Sequence, residues 1–259
     1  MTLPPVPEPF YWTASGCGAV LRCRPLDAVA PHVFTTRELR LSSRDDWSRV
    51  AEAVGAEQVV TLEQVHGRDV AAVTPGVALR SERPRADAWV SNDPATAVAV
   101  RVADCVPLLL ADAATGAVAA VHAGWRGTAA GIARTAVDAL TGRFGTQPRN
   151  LVVAIGPSIG ACCYPVGREV RDAFAAAFAA ASAPTVGLPG LDRWFVDERL
   201  DLVAANRDQL VAAGVPAAQI HACGLCTAMH LDVLTSYRAE KEKAGRLAAA
   251  IRCRAYNRA

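Results

Sequence analysis

The sequence predicts a layered α+β fold, with mixed β-sheets flanked by helices. Short, strongly apolar runs crowd the middle of the chain, three longer segments show helical apolar spacing, and two of the strands are joined by a short hairpin. The regular β-α-β alternation of a doubly wound fold is absent.

In chain order, residues 1–10 are proline-rich and read as extended. Ala97–Ala103, Val106–Asp112 and Ala117–His122 read as strands, and the last two are linked by the loop Ala113-Ala-Thr-Gly116. Leu151–Ile155 is a further buried strand. A helix is expected from about Thr128 to Phe144, with Ile132, Ala136, Val137, Leu140 and Phe144 on one face. A second is expected from about Val166 to Ala180, after Pro165. A third is expected over Asp197–Ala213, carrying Leu200, Val203, Ala204 and Leu210 and stopped by Gly214. Residues 182–191 read as a surface loop. With no repeat and no long linker, the 259 residues are expected to form a single domain.

Hydrophobic residues make up 52% of the chain, enough for a sizeable core. The 27 Lys and Arg are scattered and nearly matched by 25 Asp and Glu, so a nucleic-acid or membrane-surface partner is not expected. The first ten residues lack the basic and apolar regions of a signal peptide, and no window approaches 18 uncharged apolar residues. The expected location is the cytoplasm. The eight cysteines are then expected as thiols or ligands instead of disulfides, and Cys223-Gly-Leu-Cys226 reads as structural.

The hairpin carries the first chemical inference. If Asp112 pairs with Ala117, the antiparallel register pairs Pro107 with His122 and leaves Cys105 on the same face, two residues away. Cys105 and His122 are then diagonal neighbours, roughly 7–8 Å apart at the backbone. That gap suits a shared metal, although spacing alone equally allows a core thiol beside a strand-end histidine. The following Ala123-Gly124-Trp125-Arg126-Gly127-Thr128 combines two glycines, an arginine and an expected helix start, a setting for an anion. Ser236-Tyr-Arg238 offers a second arginine.

Six ordered motifs then resemble the YfiH-like family, also called laccase-domain or polyphenol-oxidase-like, and more recently purine nucleoside phosphorylase. They are Glu63-Gln-Val-His-Gly67, Ala103-Asp-Cys105, His122-Ala-Gly-Trp-Arg-Gly127, Gly156-Pro-Ser-Ile-Gly-Ala-Cys-Cys-Tyr164, Gly224-Leu-Cys-Thr227 and Ser236-Tyr-Arg238. The resemblance spans about Phe34 to Ile251 and implies a fold similar to bacterial toxin deamidases. It implies metal ligands His66, Cys105 and His122, adding His66 to the pair the hairpin brings together. Such a ligand set suits zinc with an open fourth position, with copper as the alternative.

Two departures fall where substrate is expected. Thr36-Arg37 is followed by Glu38-Leu-Arg-Leu41 instead of a Gly-Gly-Val-Ser loop, and the Asp-Gly usual near the C-terminal arginine is missing. The activities implied are phosphorolysis of adenosine, inosine, guanosine and methylthioadenosine, and adenosine deamination. On this reading Asp104, Arg126 and Arg37 are the catalytic candidates, and Arg126, Arg238 and Gln64 bind substrate. The partners are a nucleoside and phosphate, with oligomeric state open. A cysteine- or metal-dependent amidase, releasing L-Ser from a UDP-muramyl precursor in peptidoglycan editing, is the alternative. A copper polyphenol oxidase ranks lower, because five histidines cannot build type-1 and trinuclear copper centres. A non-enzymatic binding module ranks last, against an open metal position beside arginines.

Overall fold

The computed structural model describes residues 2–76, 82–180 and 190–254. Its strands are β1 (Phe10–Ser15), β2 (Gly18–Cys23), β3 (His32–Thr35), β4 (Gln58–Val60), β5 (Val70–Val73), β6 (Ala88–Ser91), β7 (Thr96–Val102), β8 (Val106–Asp112), β9 (Val118–Ala123), β10 (Leu151–Ile155), β11 (Phe195–Val196), β12 (Arg199–Leu200), β13 (Ile220–Ala222) and β14 (Leu247–Ile251). Its helices are α1 (Arg24–Val29), α2 (Arg44–Ala53), α3 (Trp125–Ala129), α4 (Ile132–Phe144), α5 (Arg168–Ala180), α6 (Leu202–Ala212) and α7 (Tyr237–Glu240). One mixed sheet runs β1-β2-β3-β14-β7-β4 and a second runs β13-β10-β8-β9-β6-β5, with β11 and β12 as a small hairpin.

Strand alternation builds the layers. Val98, Val100 and Val102 of β7 share a buried cluster with Leu247, Ala249 and Ile251 of β14, and with Leu109, Ala111, Val118 and Ala120 from the other sheet. This is the face on which the two sheets meet. The intervening residues point outward. Ala97, Ala99, Ala248 and Ala250 pack with Val50 and Val54 at α2. Leu108, Leu110, Ala119 and Val121 pack with Ile132, Ala136 and Leu140 of α4 and Leu210 of α6. Both faces of β8 and β9 are therefore covered, which is why these strands read as continuous apolar runs. Each fully buried leucine of β8 contributes roughly 1.5–3 kcal/mol.

The expected hairpin register holds: Asp112 N–H donates to the Ala117 carbonyl at 2.8 Å, and Pro107 pairs with His122. The Asp112 carboxylate fixes the loop by accepting from Ala114 N at 2.8 Å and Thr115 Oγ1 at 2.7 Å. The helices differ more from expectation. The first divides into α3 and α4 at Gly131, which adopts φ +83°. The second begins at Arg168. The third begins only at Leu202, because Asp201 is its N-cap, accepting from Ala204 N at 2.8 Å, while the residues before it form β11 and β12. Its buried face also includes Asn206, Asp208 and Gln209. Asn206 donates to Thr128 Oγ1 at 3.0 Å, Gln209 donates to the Thr128 carbonyl at 2.7 Å, and Asp208 accepts from Trp194 Nε1 at 2.8 Å. Apart from its last two residues, the loop expected at 182–191 lies outside the described residues. Among the described residues, no helix is long and apolar enough to cross a membrane.

Candidate metal centre

Cys105 and His122 share the inter-sheet face at the end of the layer, as the register of β8 and β9 requires. His66 reaches the same point from the loop after β4. The three ligand atoms lie within 4.8 Å of one another, and the two imidazoles meet edge-on with ring centroids 4.9 Å apart. His122 is buried, Cys105 half-buried and His66 exposed, so one side of the cluster faces outward.

Asp87, which sequence reasoning did not select, holds two of the three in place. It is fully buried at the start of β6. One oxygen faces His122 Nδ1 at 2.8 Å and accepts from His66 N at 2.9 Å, and the other accepts from Gly67 N at 2.6 Å and Val65 N at 3.3 Å. Burial raises the Asp87 pKa, but the His122 ring and the Gly67 N–H outweigh it and hold the carboxyl below its usual range. A carboxylate on Nδ1 leaves Nε2 as the ligand atom of His122. No local pattern marks Asp87. It becomes visible only once β6 pairs with β9, Ala88 opposite Val121.

The glycines of the His122–Gly127 motif act by making room, not by forming a strained turn. Gly124 has an ordinary φ of −73°, yet a β-carbon there would lie 3.0 Å from both Cys105 Sγ and His66 Cδ2. A β-carbon on Gly127 would lie 2.7 Å from the Gly67 carbonyl oxygen, so this glycine lets α3 seat against the His66 loop. Beside the cluster, His66 and Asp104 hold backbone strain, with φ +61° and +88°.

In the metal-free chain, burial pushes the Cys105 thiol up, but hydrogen bonding to His122 and His66 outweighs burial and brings it to about 6. Burial pushes His122 down, and its bonds to Asp87 and Cys105 overcome that and raise it to about 9. Thiolate and imidazolium stabilise each other here, and a bound cation would replace that proton. The soft thiolate, two imidazoles, oriented Nε2 and a cleared approach at Gly124 together fit a metal ion.

The remaining site candidates divide. Arg126 stacks on the Trp125 ring at 4.2 Å and Arg238 on the Tyr164 ring at 5.0 Å. Burial raises Tyr164 to about 12. The negative charges of Cys105 and Asp104 push the hydroxyl further up, and the positive charges of Arg238 and Arg126 oppose them. Because α3 has only five residues, its helix dipole is short, and Arg126 lies within it.

Asp104 lies beside Cys105, but both its oxygens are engaged: one accepts from Thr227 Oγ1 at 2.6 Å and the other from Arg238 N at 2.6 Å. Its geometry ties the Cys105 turn to Thr227 and α7 in place of leaving a free proton carrier. Arg37 donates to the Leu231 carbonyl and to Glu240 Oε1 at 2.9 Å, so it braces the C-terminal loop. Gln64, expected to bind substrate, is paired with the backbone of Arg101. Its amide donates to the Arg101 carbonyl and accepts from Arg101 N, both at 2.8 Å, which clamps the His66 loop to β7. Cys223 is buried in the inter-sheet core, whereas Cys226 lies with Cys162 and Cys163, so the expected Cys223/Cys226 unit separates.

Comparison with known proteins fits this geometry. Residues 33–254 match the family described as multi-copper polyphenol oxidoreductase laccase. The chain belongs to this YfiH-like family. It is 36% identical to a Geobacillus stearothermophilus protein named purine nucleoside phosphorylase YlmD, over 78% of this chain and 76% of that one. It is 40% identical to Escherichia coli K12 purine nucleoside phosphorylase YfiH, over 74% and 72%. The crystal structure of Bacillus licheniformis YfiH superposes with a TM-score of 0.81 at 27% identity, covering 96% of this chain and all (100%) of that one. Of the five histidines, His66 and His122 serve the cluster. His32 is buried elsewhere, accepting from Cys23 N at 2.9 Å and pushed down to about 4 by burial.

Proposed function

We propose that this chain is a zinc-dependent purine nucleoside phosphorylase, acting on adenosine, inosine, guanosine and methylthioadenosine, with adenosine deamination as a second activity. The observation that carries the reading is a His-Cys-His cluster open on one side, with Arg126 four residues after His122 and Arg238 held by its backbone N–H to the Asp104 that precedes Cys105. The names of the relatives support the substrate class.

Zinc at His66, Cys105 and His122 would supply Lewis-acid stabilisation and acidify a water toward neutral pH. Arg126 and Arg238 hold the phosphate and screen its charge as it approaches the sugar carbon. The bond from that carbon to the purine nitrogen breaks as the carbon–phosphate oxygen bond forms. The electron pair leaves on the base, which takes up a proton. Asp104 positions Arg238 through its backbone N–H, and Asp87 sets His122. Zinc is preferred to copper because one thiolate and two imidazoles leave a tetrahedral position open.

The test is phosphate dependence in Arg126→Ala. Truncating a charged donor to an anion costs about 2–5 kcal/mol, roughly 30- to several-thousand-fold. Phosphorolysis should fall by that factor while deamination, which uses no phosphate, falls less. An equal loss of both, with lower stability, would assign Arg126 to packing.

One observation favours a second reading. A Cys105 thiol brought to about 6 beside two imidazoles also suits a nucleophile, as in an amidase releasing L-Ser from a UDP-muramyl precursor. A thiolate bound to zinc is not free to attack, so the two readings separate by whether the metal-free chain hydrolyses that substrate.

A further inference from the structure

A second group of sulfurs lies apart from the ligands of the first centre. Cys162, Cys163 and Cys226 place their Sγ atoms within 4.8 Å of one another. The first two come from the turn after Gly160, and Cys226 from the segment bridged to Ser158. The neighbourhood is shaped around them. A β-carbon on Gly160 would lie 3.2 Å from Cys162 Sγ and 3.6 Å from Cys226 Sγ, and the Gly160 N–H donates to Cys226 Sγ at 3.3 Å. Arg199 donates to the Cys162 carbonyl, bringing a positive charge to a cluster that becomes anionic when its thiols ionise. Cys162 is exposed and Cys226 buried, which provides both an entry path and a floor.

We propose that these three thiols form a second metal site, for a thiophilic d10 cation in three-coordinate sulfur geometry, copper(I) before zinc(II). Three sulfurs each about 2.3 Å from one ion stand about 4.0 Å apart, a spacing within the reach of this cluster. A disulfide would instead require two of them to close to about 2.05 Å. Among the described residues, no histidine or carboxylate joins the three in the cluster. Zinc in protein sites is almost always four-coordinate, whereas soft thiolate sets select copper(I). The site is tied to the first centre by short chain links. Cys163 precedes Tyr164, and Cys226 precedes Thr227, whose hydroxyl holds Asp104 beside Cys105.

The experiment is an anaerobic copper(I) titration of the full chain, with zinc already at the first centre, against a chromophoric copper(I) chelator. Wild type should take up one tightly held equivalent without releasing zinc, and its X-ray absorption should show three sulfur neighbours and no nitrogen. Cys162→Ser and the double variant Cys162→Ser/Cys163→Ser should lose that equivalent yet keep their zinc and their melting temperature. Cys162 is exposed, so its serine variant reports on the site even where Cys226→Ser fails to fold. Equal copper uptake by wild type and both variants would overturn the proposal. So would a copper shell containing nitrogen, displacement of zinc at one equivalent, or uptake of zinc(II) at the triad in preference to copper(I).

Discussion

Replacing Asp87 by asparagine keeps the volume and removes the charge. The carboxylate serves four donors: His122 Nδ1 and the backbone N–H groups of Val65, His66 and Gly67. Asparagine offers one acceptor oxygen and an NH2 that faces donors. Either orientation leaves two of the four donors against the NH2 in a fully buried pocket. At about 1–3 kcal/mol for each unsatisfied buried group, the fold loses roughly 2–6 kcal/mol. Changing a partner that orients a metal-bound histidine typically costs about 10–100-fold in affinity, or about 1.4–2.7 kcal/mol. Asp87→Asn should therefore hold metal about 10–100-fold more weakly and melt lower. Affinity is read by competition with a chromophoric zinc chelator at a temperature where circular dichroism shows the variant folded, and stability by calorimetry. Affinity within twofold of wild type in a folded variant would refute the argument that Asp87 sets the ligand geometry.

Gly124→Ala should fold, since φ −73° suits alanine, yet lose most of its metal because the added carbon meets Cys105 Sγ and His66 at 3.0 Å; full occupancy would count against this. Gln64→Ala should lower the melting temperature by freeing the His66 loop from Arg101, without raising the KM for nucleoside through a lost contact, and initial-rate kinetics decide it. In the metal-free chain, Cys105 should alkylate with a midpoint near pH 6, and an ordinary midpoint near 9 would contradict the His66/His122 assignment. The linkage follows from the same groups. Cys105 is depressed, so its stabilisation is complete above pH 9 and lost as pH falls through about 6. His122 is raised, so its stabilisation is complete below pH 6.5 and lost as pH rises through about 9. Metal-free stability should thus peak between those values, and a pH series of denaturant unfolding measures it.

The centre of the fold was legible because its signals are local. The Ala113–Gly116 loop, with Asp112 before it and Gly116 at φ +75°, fixes one register, and that register alone puts Cys105 and His122 on one face. Helix limits were less legible where side-chain chemistry outweighed apolar spacing. Gly131 interrupts a periodic segment, and Asp201 caps a helix whose apparent start is a hairpin turning through Asp197 and Glu198, both at positive φ. The polar face of α6 was hidden because Thr128, the partner of Asn206 and Gln209, is distant in sequence. Asp87 was hidden for the same reason. The roles of Arg37, Gln64 and Asp104 could not be separated by sequence, since a substrate ligand and a buttress have the same composition and differ only in what they touch.

Elemental analysis of the chain purified without added metal tests the first centre most directly. The account predicts about one zinc per chain, lost from both Cys105→Ala and His122→Ala while the fold persists. Absence of zinc from the wild type, or full occupancy in both variants, would contradict it.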